Sequence, residues 1–182
     1  MCVIKKIEKQ IMQMKIRILI FLIMTSQAYA YSQKQNSIVF DKATNQNILY
    51  GYGTFDVFTT DDFNHWYSSQ HENYIPNATV VENLKPIIDS IYIDIIIGTW
   101  CGDCRRQIPQ FHKILKALNF DMERVTIIGV NRQKVCPEAN INTGDIGFVP
   151  TYIIRSHEHE IGRIIERPIE SLEEGLYKIL TK

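Results

Sequence analysis

Residues 91–111, IYIDIIIGTWCGDCRRQIPQF, constrain the fold more than any other stretch. Isoleucines at 91, 93, 95 and 97 share one strand parity, and Tyr92, Asp94 and Ile96 share the other. A β-branched run of this length predicts a central strand covered on both faces, of the kind found in parallel sheets. Gly98 and Thr99 predict a tight turn. A helix should follow over 102–118, where Ile108, Phe111, Ile114, Leu115 and Leu118 recur at helical spacing. Cys101 and Cys104 therefore stand where a buried strand gives way to a helix.

The remaining elements fall around this junction. ERVTIIGVN at 123–131 reads as the next strand, giving a β-α-β unit with a right-handed crossover. A long loop over 132–148 leads to PTYIIR (150–155) and EIGRIIE (160–166), which read as a hairpin. SLEEGLYKIL closes the chain as a helix, with Ser171 and Glu174 forming a capping box. Upstream, SIVFD and YGTFDVF are expected to be short strands, with turns at 45–47 and at Gly51. A helix is expected from Thr59 or Thr60, with Asp61 and Asp62 in its first turn and Phe63, Trp66 and Tyr67 forming a core stripe. NATVVENLKPIID reads as a second short helix, capped by Asn77 or Thr79 and disturbed by Pro86. The expected class is α/β, a central mixed sheet flanked by helices.

The first thirty residues read as a leader rather than as part of this fold. From Met14 there is a short basic region (Lys15, Arg17), an apolar run from Ile16 to Met24, and Ala28-Tyr29-Ala30 as a cleavage site. The segment before Met14 either extends the basic region or precedes the true start. The apolar run is short for a membrane span, and no cysteine follows it in the manner of a lipid-anchored protein. Residues 1–30 carry five Lys/Arg and one Glu, which leaves 15 basic and 19 acidic residues and a formal charge of −4. That balance gives no reason to expect nucleic acid as a partner. Residues 31–182 are expected to form one domain, with 31–84 as an N-terminal extension to a motif-bearing core at 85–182.

This mature segment holds three cysteines, Cys101, Cys104 and Cys136. So small and odd a number is not a disulfide scaffold. A Cys-x-x-Cys pair opening a helix has a direct chemical reading. The unpaired N–H groups of the first turn stabilise a thiolate at the first cysteine, lowering its pKa below the free value of about 8.5. The second, one turn on, is placed to resolve a mixed disulfide. Cys101 is thus the expected nucleophile and Cys104 the resolving thiol. A zinc site needs further ligands that neither Cys136 nor His157 and His159 supply. A purely structural bridge over so short a loop constrains the unfolded chain little.

WCGDC between a buried strand and a helix resembles the active-site motif of thioredoxin-like thiol–disulfide oxidoreductases, usually W-C-G-P-C. Pro109 stands where that family carries the proline that kinks its active-site helix. FVPT at 148–151 is similar to the family's cis-proline segment. The resemblance implies a thioredoxin-like fold, with Pro150 cis. It implies that the Val149 backbone pairs with substrate, that Thr151 follows in the same segment, and that Trp100 shapes the substrate surface. No organic cofactor and no metal is implied.

Three departures matter. The family's buried Asp, six residues before the first cysteine, is Ile95 here; Asp94 is one residue off and points to the opposite face. Asp103 replaces the motif's proline, and its charge should raise the Cys101 pKa, with Arg105 and Arg106 opposing. Cys136, beside Pro137, is a buried inert thiol, an auxiliary redox thiol or an intermolecular partner. The expected function is reduction of protein disulfides in a bacterial periplasm or outside the cell, with a membrane thiol-transfer protein supplying electrons. The rivals are a thiol peroxidase of the same superfamily and a non-catalytic binding module that keeps the fold.

Overall fold

The computed structural model describes residues 12–15, 17, 35–141, 144–157, 159–168 and 170–182. Residues 1–35 form one unit, in which 12–15 and 17 are helical. The apolar run and the cleavage site expected of a leader lie outside the described residues. Among the described residues no helix is long and apolar enough to cross a membrane.

Asn36–Lys182 form a second compact unit. It opens with an antiparallel pair, β1 (Ile38–Asp41) and β2 (Gln46–Leu49). The Asp41 carboxylate accepts from the backbone N–H groups of Ala43 and Thr44, and Asn45 takes a left-handed φ of 53°, closing the turn. The turn expected across 45–47 ends at Asn45, and Gln46 already pairs with Asp41.

A five-stranded sheet follows in the order β3 (Gly51–Gly53), β5 (Val125–Gly129), β4 (Ile91–Ile97), β6 (Thr151–Ser156), β7 (His159–Ile165). β4 and β5 are parallel; β3–β5, β4–β6 and β6–β7 are antiparallel. The sheet is therefore mixed, with β4 at its centre. YGTFDVF splits in two: β3 joins the sheet edge, and Phe55–Thr59 coil into a 3₁₀ turn. The segment expected to be an extension thus supplies a strand and two helices, α1 (Asn64–Asn73) and α2 (Ala78–Leu84).

α1 starts later than expected. The Thr59 and Thr60 hydroxyls donate backwards to the carbonyls of Asp56 and Val57, closing the 3₁₀ turn instead of capping a helix. Phe63, at the N-cap, and Tyr67 are buried against Phe58, as core packing requires. Asn77 caps α2 by accepting from Thr79 and Val80, and the helix ends before Pro86. The helix after β4 is α3 (Gly102–Ala117), and Ser171 caps the closing helix α4 (Leu172–Leu180) by accepting from Glu174 N–H.

Ile93 and Ile95 sit beside Ile154 and Tyr152 in register. The Tyr152 ring lies 4.6 Å from that of Phe111, so this face of β4 meets α3. The other face is not fully covered, contrary to expectation. Tyr92 is 42% exposed, and Asp94 forms an ion pair with Arg155 at 3.0 Å. Two polar positions at the start of the strand open one face to water, while Ile96 and Ile97 at its end are buried.

Candidate active site

The turn that carries the cysteines is built from its own neighbours. Cys101 N–H donates to Gly98 O at 2.8 Å, and Gly98 N–H donates to the Cys104 sulfur at 3.4 Å. A Cβ at Gly98 would lie 2.4 Å from the Trp100 indole, so the close approach needs glycine. Trp100 is fixed by its Nε1–H, which donates to Val130 O at 3.0 Å, and the Arg132 guanidinium lies 4.8 Å from its ring centre. The Thr99 hydroxyl accepts from Leu49 N–H, which ties β2 to this turn.

Cys101 is the N-cap of α3 and half-buried; Cys104, one turn on, is 1% exposed. Both are free thiols. The Cys101 pKa falls to about 6. The hydrogen bond from the Cys104 thiol is the largest cause, and the backbone N–H groups of Cys104 and Asp103 add to it; burial and the Asp103 charge oppose them. The helix-mouth donors expected from sequence are present, with the second thiol contributing more than they do. The Cys104 pKa is pushed well above the ordinary thiol value, first by burial and then by the neighbouring sulfur. One half-buried anionic sulfur therefore stands in front of one fully buried protonated sulfur.

The Val149–Pro150 peptide is cis. It sets the Val149 carbonyl 3.5 Å from the Cys101 sulfur, which donates to it when protonated. Val149 and Thr151 are buried, and the Thr151 hydroxyl donates to Phe148 O at 2.7 Å. Phe148 itself is 56% exposed beside them. Pro109 is buried inside α3, where it leaves the Arg105 carbonyl without its helical donor.

The charges around Asp103 differ from expectation. Arg106 bonds it at 2.7 Å, as a partner one turn on can. Arg105 turns away: its Nε donates to Thr99 O at 2.7 Å and its Nη2 to Gln46 Oε1 at 2.6 Å. Its work is to fasten β2 to the turn. The second cation on Asp103 is Arg167, at 3.0 Å, brought in by the segment after β7. These two arginines keep the Asp103 carboxyl below its usual pKa against the effect of burial. Nothing in the sequence marks Arg167, because its position depends on the β6–β7 register.

Cys136 is fully buried, its backbone paired to Ile141 in both directions, and burial raises its pKa. Ile95 is fully buried beneath the helix, and Asp94 faces the other way. Among the described residues no group of three or more His, Cys, Asp or Glu side chains is placed to hold a metal ion.

A family model described as thioredoxin matches residues 57–177. No curated protein matches the chain. Among solved structures, a protein of unknown function from Pseudomonas aeruginosa is 16% identical, with a TM-score of 0.40 over 62% of this chain and 66% of that one. Mitochondrial thioredoxin 3 from Saccharomyces cerevisiae, in its oxidised form, is 19% identical, with a TM-score of 0.36 over 62% of this chain and 97% of that one. At these TM-scores the two structures add nothing to the assignment. The family match spans well over half the chain, and with the mixed sheet flanked by helices it supports a redox-type function in general terms. The chain belongs to the thioredoxin family.

Proposed function

We propose that the protein is an exported thiol–disulfide oxidoreductase that reduces disulfides in other proteins. The observation that carries this reading is the opposed pair: Cys101 ionised near pH 6 at the mouth of α3, with Cys104 protonated behind it. The Cys101 thiolate attacks a substrate disulfide, forms a mixed disulfide and expels one substrate thiolate. Cys104 then attacks Cys101. The Cys101–Cys104 bond forms, the bond to substrate breaks, and the second substrate sulfur leaves with the electron pair and takes up a proton. Two electrons pass from the pair to the substrate, and a membrane thiol-transfer protein returns them.

A reducing direction is favoured over an oxidising one. Attacking thiols of thioredoxins titrate near about 7 and those of strong periplasmic oxidants near about 3.5. The value here lies closer to the first, and the Asp103 charge holds it up. The Val149 carbonyl and exposed Phe148, beside the sulfur, suit an extended peptide passing over the site. The leader read from sequence supports export to a periplasm.

The test is capture. Cys104→Ala is expected to hold substrates on Cys101 as mixed disulfides, and Cys101→Ser to hold none. Wild type should reduce insulin with a potential more negative than that of the glutathione pair. Equal insulin reduction by wild type and Cys101→Ser would end the reading. Consumption of peroxide in place of insulin would replace it with the peroxidase.

A further inference from the structure

The resolving step poses a physical problem that the pair alone does not solve. Cys104 must carry negative charge as it attacks Cys101, yet burial holds its proton firmly. The strand beneath it offers no acid: Ile95 faces the helix, and Asp94 is on the other face, paired with Arg155. What the neighbourhood does offer is two buried polar side chains without hydrogen-bond partners. The Tyr152 hydroxyl is one; the Gln107 amide, at both its oxygen and its nitrogen, is the other.

Their placement is specific. Tyr152 is fully buried and stands directly beside Ile95 in the β4–β6 register. Its ring packs on Phe111 of α3, and its hydroxyl is near enough to Cys104 and Arg106 for negative charge at the first to raise its pKa and positive charge at the second to lower it. Gln107 is 3% exposed and one helical turn beyond Cys104, on the same side of α3 as Phe111 at i+4. Buried polar groups are nearly always partnered, so an orphaned hydroxyl within electrostatic reach of a reactive sulfur calls for an explanation. Each can donate, and the group that turns anionic during exchange is Cys104, one helical turn before Gln107 and within electrostatic reach of Tyr152.

We propose that the Tyr152 hydroxyl, seconded by the Gln107 amide, is a positioning residue that turns toward Cys104 and donates to its sulfur as negative charge develops there. The inference rests on the exchange reaction proposed above. Tyr152 keeps its own proton throughout: burial raises its pKa well above the usual phenol value, so it acts as a donor and not as a base. The Cys104 proton passes to the departing substrate sulfur, and the step needs no other acceptor. The other titratable or charged groups acting on Cys104 or Tyr152 are Cys101 and Asp103 at the turn and Arg106 on α3; Gln107 also lines a groove with Tyr74, Arg106, Arg167 and Glu170, and Asp94 and Arg155 of β4 and β6 pair with each other on the opposite face.

The experiment titrates Cys104 directly, so it does not depend on turnover. In a Cys101→Ala background the ultraviolet absorbance of the Cys104 thiolate is followed against pH, with and without Tyr152→Phe, which removes one oxygen and keeps the ring. The expected result is a Cys104 pKa about one unit higher in Tyr152→Phe, the equivalent of about tenfold in thiolate at a given pH. Thermal stability should be unchanged or raised, because the lost group had no partner. Gln107→Met should give a smaller shift in the same direction. With Cys101 present, Tyr152→Phe should slow release of a trapped mixed disulfide about tenfold and leave the pH profile of Cys101 alkylation unmoved. An unmoved Cys104 titration in both variants overturns the proposal, as does an equal shift at Cys101. Loss of insulin reduction by wild type, with the Cys104 shift intact, would count against the function proposed above and not against this contact.

Discussion

The two halves of α3 each carry a titratable group displaced from its ordinary pKa, and the causes are opposite. At the N-terminus Cys101 is lowered by donated hydrogen bonds and is half open to solvent. In the helix's second half His112 is lowered to about 3, because burial penalises the imidazolium and Lys116 repels it. Its ring stacks on Phe55 at 4.0 Å, its Nδ1 shares a hydrogen bond with the Tyr67 hydroxyl, and His71 packs nearby. One shift is a stabilised charge; the other is a suppressed one. A perturbed pKa marks a reactive group where the charged form is favoured and reachable, and marks packing where the charge is shut out.

The sharpest way to break this contrast is to exchange the phenotypes. Cys101→Ser should cut disulfide reduction by about a thousandfold or more while moving the denaturant midpoint little, since a half-buried thiol becomes a hydroxyl of similar size. His112→Ala should do the reverse. It strands the Tyr67 hydroxyl and empties the space against Phe55, costing about 2–3 kcal/mol of stability, while the folded fraction keeps full activity. Loss of activity in folded His112→Ala, measured by insulin reduction beside urea unfolding, would join the two ends into one site.

The same contrast has a pH signature. An unfolded histidine titrates near about 6.5, and the folded His112 only near about 3. A histidine whose folded pKa is lowered contributes stability above the unfolded pKa and loses it as pH falls. Stability should therefore decline between about pH 6.5 and 4.5, by about 1–2 kcal/mol once solvent screening at this half-buried site is allowed for. Urea midpoints across that range check it, and His112→Ala should flatten the slope. Cys101 alkylation should rise through about pH 6 in the same interval, so reactivity and stability improve together on leaving acid.

Smaller in size, and more direct on the N-terminal side, is Asp103→Asn. The Asp103 charge raises the Cys101 pKa, so its removal should lower the alkylation midpoint by a few tenths of a unit. The shift stays small because Arg106 and Arg167 already neutralise much of that carboxylate. An upward shift would mean that the freed arginines had left the site, exposing a role for them that Asp103 now masks.

The N-terminal half of α3 was legible from sequence because its signals are local. A β-branched run, a Gly-Thr turn, a cysteine spacing and a proline eight residues on all act within one strand and one helix. β3 and β5 pair across more than seventy residues, and neither Gly51 nor Gly53 announces a partner. Thr59 and Thr60 look like helix caps, yet their hydroxyls are claimed by the turn before them. Arg167 and Tyr152 reach the site only through the register of β6 and β7, which hydrophobic alternation leaves open by two residues either way. Arg105 stands close to Asp103 in sequence, yet the turn geometry sends it to Thr99 and Gln46. What the sequence missed at the site lies on other elements or in a side chain's choice between two neighbours.

Asp94 tests the smallest expected effect and the deepest premise. It stands next to the position where the family keeps a buried acid, and only strand parity separates the two. Asp94→Asn should leave insulin reduction and the Cys104 titration unchanged. It should cost no more than about 1 kcal/mol of stability through its partly buried pair with Arg155. Removing the charge also removes burial's cost of holding a carboxylate there, whose pKa is raised for that reason, so the net loss should fall below the usual worth of such a pair. A slowed resolving step in Asp94→Asn would mean that the charge acts through the sheet on the sulfur above Ile95. The proton economy of Cys104 would then belong to both faces of β4 rather than to the Tyr152 side alone.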